Sequence, residues 1–280
     1  MTKKVNPPVS YVGGKSHMRE LLISLFPNHD TYVEVFGGSG NIILMKDPTT
    51  CNVYNDIRGD IVTSFKVVQD KTKVYKLLSI LHLTPYSRQY FHEIRDGKYR
   101  PPNIDDDIFT AYKVIFMMNQ AFSAKFLNDT PVWAFSITTD VRIKRWIKVP
   151  SKLSKFIDIL QRIQIENKDF KYIIQTYDTP NTLFYCDPPY YNLEKYYTDD
   201  FSVQDHNDLS NLLNNIKGKA IVSYYYFEGI EELYPKPKWN YMNIDQPIYS
   251  QKIYNNKGET RQHKREYIIM NYKITNRTLF

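Results

Sequence analysis

Tyr32-Val33-Glu34-Val35-Phe36-Gly37-Gly38-Ser39-Gly40, running on into Asn41-Ile42-Ile43-Leu44, is the stretch that decides the fold. It reads as a short apolar strand, a glycine-rich turn and the start of a helix, which is the nucleotide-cofactor layout of doubly wound α/β folds. Glycine allows a positive φ and a close approach of the backbone to a ligand. The dinucleotide spacing G-x-G-x-x-G is not met: Gly38 and Gly40 supply its first two glycines, but Ile43 stands at the third. A phosphate-binding loop is not met either, because Gly14-Lys15-Ser16 has Val9 where the earlier glycine belongs. A turn of this kind suits a cofactor without a pyrophosphate, and S-adenosylmethionine fits. Downstream, the run Cys51-Asn52-Val53-Tyr54 leads to Asn55-Asp56. An acid at the end of the second strand is placed to hold ribose hydroxyls; Asp56 is equally placed to be a strand-end turn residue or a helix cap.

The second informative stretch is Leu183-Phe184-Tyr185-Cys186 followed by Asp187-Pro188-Pro189-Tyr190. Two prolines remove two backbone donors and fix φ twice. They also push the residues before them to extended geometry. The expected product is a rigid bend at the C-terminal end of a strand, where open α/β sheets bind ligands. It projects a carboxylate, a free carbonyl and an aromatic ring. That set suits a planar base with an exocyclic amine. A strand-ending turn with a capping Asp is the plainer alternative.

The two stretches together resemble the Dam-like family of DNA adenine-N6 methyltransferases, and further segments follow in that family's order. Tyr11-Val12-Gly13-Gly14-Lys15 resembles its N-terminal cofactor motif, Tyr54-Asn55-Asp56-Ile57 its ribose-binding motif and Asn167-Lys168-Asp169-Phe170 the element that grips the cofactor adenine. Ile221-Val222-Ser223-Tyr224 and Glu266-Tyr267-Ile268-Ile269-Met270-Asn271-Tyr272 resemble late core strands. The resemblance implies a Rossmann-like core at 1–70 and 151–280, with an inserted, mainly helical target-recognition domain at 71–150. It implies S-adenosylmethionine as cofactor, no metal, and double-stranded DNA as partner. Asp187 and the Pro188 carbonyl would then engage a flipped adenine, with Tyr190 stacked on it. Tyr11, Lys15, Glu34, Phe36, Gly38 and Gly40 would lie at the methionine end of the cofactor, Asp56 at its ribose, and Asp169 and Phe170 at its adenine. Phe170 can also be a core residue of the helix that follows. The middle of the chain departs from the GATC-methylating members. Asn119-Gln120-Ala121-Phe122 and Asn128-Asp129-Thr130-Pro131-Val132-Trp133 stand where those carry an Arg-Tyr-Asn segment and a Phe-Asn-Val-Pro-like hairpin, so GATC is not the expected site. The competing readings are transfer to another amine (cytosine N4, RNA adenine or a protein glutamine amide) and a non-catalytic DNA-binding decoy of the same fold.

Composition agrees with an anionic partner. The 280 residues carry a net charge of +7, and net charge speaks to association and not to fold. Aromatics make up 15%, with 24 tyrosines, a supply suited to base stacking and equally to an AT-rich genome. From Arg142 to Lys155 no acid interrupts Arg142, Lys144, Arg145, Lys148, Lys152 and Lys155. With Lys125, the first four are expected to meet phosphates, which gives affinity without sequence information; a solvated helix face is the alternative. Cys51 and Cys186 are the only cysteines and read as buried thiols in a reducing compartment. No segment has the ~20 apolar residues that span a bilayer and Met1–Pro8 has no signal-peptide core. The expectation is a cytoplasmic protein of a bacterial or phage-infected cell, with no membrane and no obligate protein partner. Its setting would be restriction-modification or a mobile element.

Periodicity predicts helices at 16–25, 41–46, 57–68, 74–82, 86–95, 104–119, 153–162, 170–177, 205–216 and 229–233. Strands are expected at 32–36, 51–54, 163–166, 182–186, 220–224 and 266–272, and 122–139 reads as a hairpin or loop reaching toward DNA. The acids Asp105-Asp106-Asp107 fall in a first helical turn, where they favour the helix dipole.

Overall fold

The computed structural model describes residues 18–122, 131–191, 201–247 and 263–274. Tyr11, Lys15 and Lys125 lie outside them. Seven strands form one sheet in the order β3-β2-β1-β4-β5-β7-β6. They are β1 (Thr31–Glu34), β2 (Cys51–Asn55), β3 (Gln164–Glu166), β4 (Thr182–Cys186), β5 (Lys219–Tyr225), β6 (Asn240–Pro247) and β7 (His263–Met270). The first five run parallel, and β7 enters antiparallel between β5 and β6. Strand order reverses between β1 and β4, whose register pairs Glu34 with Tyr185. In such a sheet the crevice for a ligand opens beyond the C-terminal ends of the strands at this switch point.

Both faces of the sheet are covered, so its central strands are apolar on both sides. Alternation sorts their residues. Tyr32, Tyr54, Leu183, Tyr185, Ile221, Ile268 and Met270 pack on one side with the helices between residues 19 and 160. These are α1 (Arg19–Ser24), α2 (Gly59–Gln69), α3 (Lys71–Leu83), α4 (Arg88–Arg95), α5 (Asp106–Gln120), α6 (Val141–Ile147), α7 (Val149–Ser154) and α8 (Ile157–Leu160). Val33, Val53, Phe184, Cys186, Val222, Tyr224 and Ile269 pack on the other side with α9 (Phe170–Tyr177), α10 (Val203–Asn215) and α11 (Ile230–Leu233). The buried residues of α3 to α8 belong to the same cluster as the first face of the sheet. No helix among the described residues is long and apolar enough to cross a membrane.

Local chemistry sets the helix ends. Asp70 caps α3 by accepting from the Thr72 and Lys73 amides, and Asp105 caps α5 by accepting from Ile108 N at 2.8 Å. Ser202 and Asp205 form a reciprocal capping box on α10.

Several expectations need correction. Residues 41–46 are successive turns and not a helix. Gly40 at φ +65° starts them, two β-branched isoleucines follow, and Asp47-Pro48 stops any continuation. The helix expected over 153–162 is two short ones, α7 and α8, with Lys155 and Phe156 between them. The strand β6 has no counterpart among the expected elements: Asn240-Tyr241-Met242-Asn243-Ile244 is half polar, as an edge strand can be. At 122–139 the described residues form no strand beyond a single antiparallel bridge, Ala121 with Trp133.

Candidate active site

The loops after β1, β2 and β3 are tied into one unit by side chains of the sequence Tyr54-Asn55-Asp56. Tyr54 Oη donates to Gly38 O at 2.6 Å. Asn55 Nδ2 donates to Val35 O at 2.9 Å and Lys168 O at 3.0 Å, while Asn55 Oδ1 accepts from Lys168 N at 2.9 Å. Asn167 Nδ2 reaches back to the Asp56 and Ile57 carbonyls. Asp56 accepts from Gly38 N at 2.7 Å with one oxygen and from Arg58 N at 2.9 Å with the other. The glycine turn is thus held to the end of β2 from both sides, with Asp56 joining the two loops. Gly37 lies against the Tyr54 ring, and a Cβ at Gly37 would overlap that ring. Gly38 and Gly40 hold φ of 50° and 65°, which only glycine adopts at little cost.

Glu34 ends β1 inside the molecule. It is 2% exposed, and its Oε2 accepts from Ile43 N at 2.7 Å and Tyr32 Oη at 3.1 Å. Burial pushes its carboxyl up to about 8, with the Ile43 and Tyr32 donors opposing. Lys46 stands over the Tyr32 ring and donates to Asn52 Oδ1 at 2.7 Å. Burial lowers its ammonium to about 8, against the pull of Glu34. Glu34 therefore fastens the turn after Gly40 to β1 instead of facing solvent.

Phe36, Phe170 and Phe201 form an aromatic cluster at the same edge, with ring centroids 5.5–5.8 Å apart. Phe170 is buried, and Asp169 beside it is exposed and caps α9 by accepting from Lys171 N at 2.8 Å. A carboxylate has about four acceptor sites, and Asp169 is exposed at the start of α9. Apolar rings at Phe36 and Phe170, with acceptors at Asp56 and Asp169, make a set whose chemistry fits an adenosine with its ribose hydroxyls and amine.

After β4, Asp187 is half-buried, Pro188 buried and Tyr190 3% exposed. Tyr190 Oη lies 3.3 Å from Asp187 Oδ1 and 3.2 Å from Oε1 of Glu266, a 2% exposed acid on β7. The Tyr190 ring rests 4.3 Å from that of Tyr225. Tyr185, next to Asp187 and also under the influence of Glu34 and Glu266, has its phenol held well above the usual range by burial first and then by Asp187. Glu266 is a site residue that sequence reasoning missed. Its signal was an acid at the head of an apolar strand, and only the antiparallel entry of β7 brings that end beside Asp187.

The basic residues gather elsewhere. Arg142, Lys144 and Arg145 are on α6 and Lys148 caps its end. Lys144 pairs with Asp140 at 2.9 Å, and Arg142 stands over the exposed Phe122 ring. Trp146, in the same run, turns inward, is 3% exposed and donates to Thr84 O at 2.7 Å. It anchors α6 while the cations stay outside. Nearby, Arg88 covers both Trp133 and Phe135, which stack at 6.0 Å.

Known proteins share this arrangement of sequence. The chain is 25% identical to the type II methyltransferase M.FokI of Planomicrobium okeanokoites over 300 aligned residues, covering 96% of the chain and 43% of M.FokI. It is 21% identical to the type II methyltransferase M.CviBI of Paramecium bursaria Chlorella virus NC1A over 236 residues, covering 82% of the chain and 86% of M.CviBI. The chain thus spans less than half the length of the first relative and most of the second. The model of the D12 class N6 adenine-specific DNA methyltransferases matches residues 11–260, and the chain belongs to that family.

Proposed function

We propose that this protein transfers the methyl group of S-adenosylmethionine to N6 of an adenine in double-stranded DNA, with 71–150 as the recognition insertion. The observation that carries the reading is the position of Asp187-Pro188-Pro189-Tyr190, directly beyond β4 at the switch point, one strand from the glycine turn. When bound, the cofactor supplies an electrophilic methyl on a positively charged sulfur. Asp56 would accept from its ribose hydroxyls and Asp169 from its adenine amine, Phe170 would pack against the ring, and Tyr11, Lys15, Phe36, Gly38 and Gly40 would serve the methionine end. Glu34 serves that end by holding the turn.

The acceptor amine is a poor nucleophile because its lone pair is delocalised into the purine. Asp187 and the Pro188 carbonyl accept from the two N6 protons and so localise that pair. The N6–C bond forms as the C–S bond breaks, positive charge passes to N6, and Asp187 stabilises it through a fixed electrostatic contact. One N6 proton then leaves, and Asp187 is the neighbouring acceptor. Bringing both substrates into line contributes further. An adenine in a duplex reaches this edge only by leaving the stack. Tyr190 is the ring on which the base stacks. Lys125, Arg142, Lys144, Arg145 and Lys148 hold the phosphates.

Asp187→Ala separates this reading from a binding-only protein. The variant is expected to bind S-adenosylmethionine within about threefold of wild type while losing at least ~10³-fold in methyl transfer to DNA. Retained turnover in the variant contradicts the role of Asp187. Cofactor binding without turnover in wild type favours the decoy.

A further inference from the structure

Glu266 is an acid that the proposed chemistry does not use, yet it meets that chemistry at the Tyr190 hydroxyl. The Tyr190 hydroxyl lies between Glu266 Oε1 at 3.2 Å and Asp187 Oδ1 at 3.3 Å. A phenol has one proton and can donate it to one of the two carboxylates at a time. Glu266 is 2% exposed and held by strand pairing, opposite Tyr225 on β5 and Ile244 on β6. Tyr190 is 3% exposed and its ring is braced by Tyr225. The bridge is therefore built from fixed parts and is not a chance surface contact.

We infer that Glu266 is a positioning residue for methyl transfer, drawing the Tyr190 proton toward itself so that Asp187 keeps its acceptor strength for the adenine amine. The inference rests on the reading of Asp187 as the group that engages N6. With Glu266 in place, Tyr190 donates to Glu266 and turns a lone pair toward Asp187. With Glu266 replaced by an apolar side chain, the same hydroxyl proton turns to Asp187 Oδ1. There it competes with N6–H and stabilises the carboxylate before the reaction, when stabilisation is needed in the transition state. The aromatic face of Tyr190 is not involved in this competition, so Tyr190→Phe keeps the face and removes the competitor.

Tyr190→Phe consequently offsets the loss in Glu266→Leu, which a purely structural role of Glu266 does not produce. In Glu266→Leu, kcat is expected to fall about 10–100-fold, while the KM for DNA and the Kd for S-adenosylmethionine stay within about threefold of wild type. Glu266→Gln, whose amide oxygen still accepts from Tyr190, recovers most of the loss. Tyr190→Phe added to Glu266→Leu brings kcat back to the level of Tyr190→Phe alone, so the double-mutant cycle shows strong coupling. The assay uses the full chain with labelled S-adenosylmethionine and unmethylated duplex DNA, and thermal melting is recorded for each variant. A loss in Glu266→Leu that is equal with Tyr190 intact and with Tyr190→Phe overturns the inference, as does an unchanged kcat. If Glu266→Leu does not fold, the same cycle is run with Glu266→Ala, where an unchanged kcat, or a loss that is unaffected by Tyr190→Phe, is equally contradictory. Inactive wild type with intact cofactor binding defeats the functional reading itself, and is distinguishable because it appears before any variant is compared.

Discussion

Glu34 shows how a single residue ties a motif to stability. A buried acid either finds donors or keeps its proton, and Glu34 does both: two donors reach its Oε2, and burial still pushes it up to about 8. The folded protein holds that proton while the unfolded chain releases it near the ordinary value of 4.5. The folded state therefore binds more protons across this window, and stability from Glu34 falls as pH rises from about 4.5 to about 8. Glu34→Gln removes the titration and keeps the shape. The difference in melting temperature between wild type and this variant should shift steadily in favour of the variant as pH is raised through that range. A constant difference would show that Glu34 is ionised throughout. The acids Asp56 and Asp169 differ from it in kind, since each is fixed by backbone amides.

Elements with a strong period and clean punctuation were legible from sequence. The helix at 170–177 and the strand at 182–186 stand where helical periodicity and the apolar run before Asp187 put them. The turn at 41–46 failed because three consecutive large apolar residues look like a helix face but are buried individually, around a backbone that Gly40 and Glu34 hold in turns. The strand β6 failed because an edge strand needs only one apolar face. Of the candidate site, Asp56, Asp187 and the glycines could be read from type and spacing, and Asp169 from the family resemblance. The stitches could not, since Asn55 with Lys168 and Tyr190 with Glu266 join residues far apart in the chain. Two substitutions test elements directly. Gly37→Ala drives a methyl into the Tyr54 ring, which stacks on Phe65 at 4.3 Å, and should cost about 1–3 kcal/mol by denaturant titration together with weakened cofactor binding. Trp146→Ala empties the anchor beneath α6 and should cost about 3–5 kcal/mol, visible as a lowered melting temperature; a loss under ~1 kcal/mol would mean that α6 is not held by its tryptophan.

At the scale of the whole molecule, the glycine turn and the Asp187 bend both lie beyond the C-terminal ends of neighbouring parallel strands, while Arg142, Lys144 and Arg145 lie on α6. A net charge of +7 favours an anionic partner without choosing a sequence. Replacing Arg142, Lys144, Arg145 and Lys148 by alanine should weaken DNA binding uniformly across sequences. It should also flatten the plot of log K against log salt by about 0.9 for each phosphate that is no longer neutralised. An unchanged slope would move the DNA surface elsewhere. The most direct test of the account is to incubate the wild-type protein with S-adenosylmethionine and genomic DNA free of adenine methylation, then map modified bases along single molecules. The account predicts N6-methyladenine confined to one short recognition sequence. DNA that remains unmodified, or that carries the new methyl on cytosine, would contradict it.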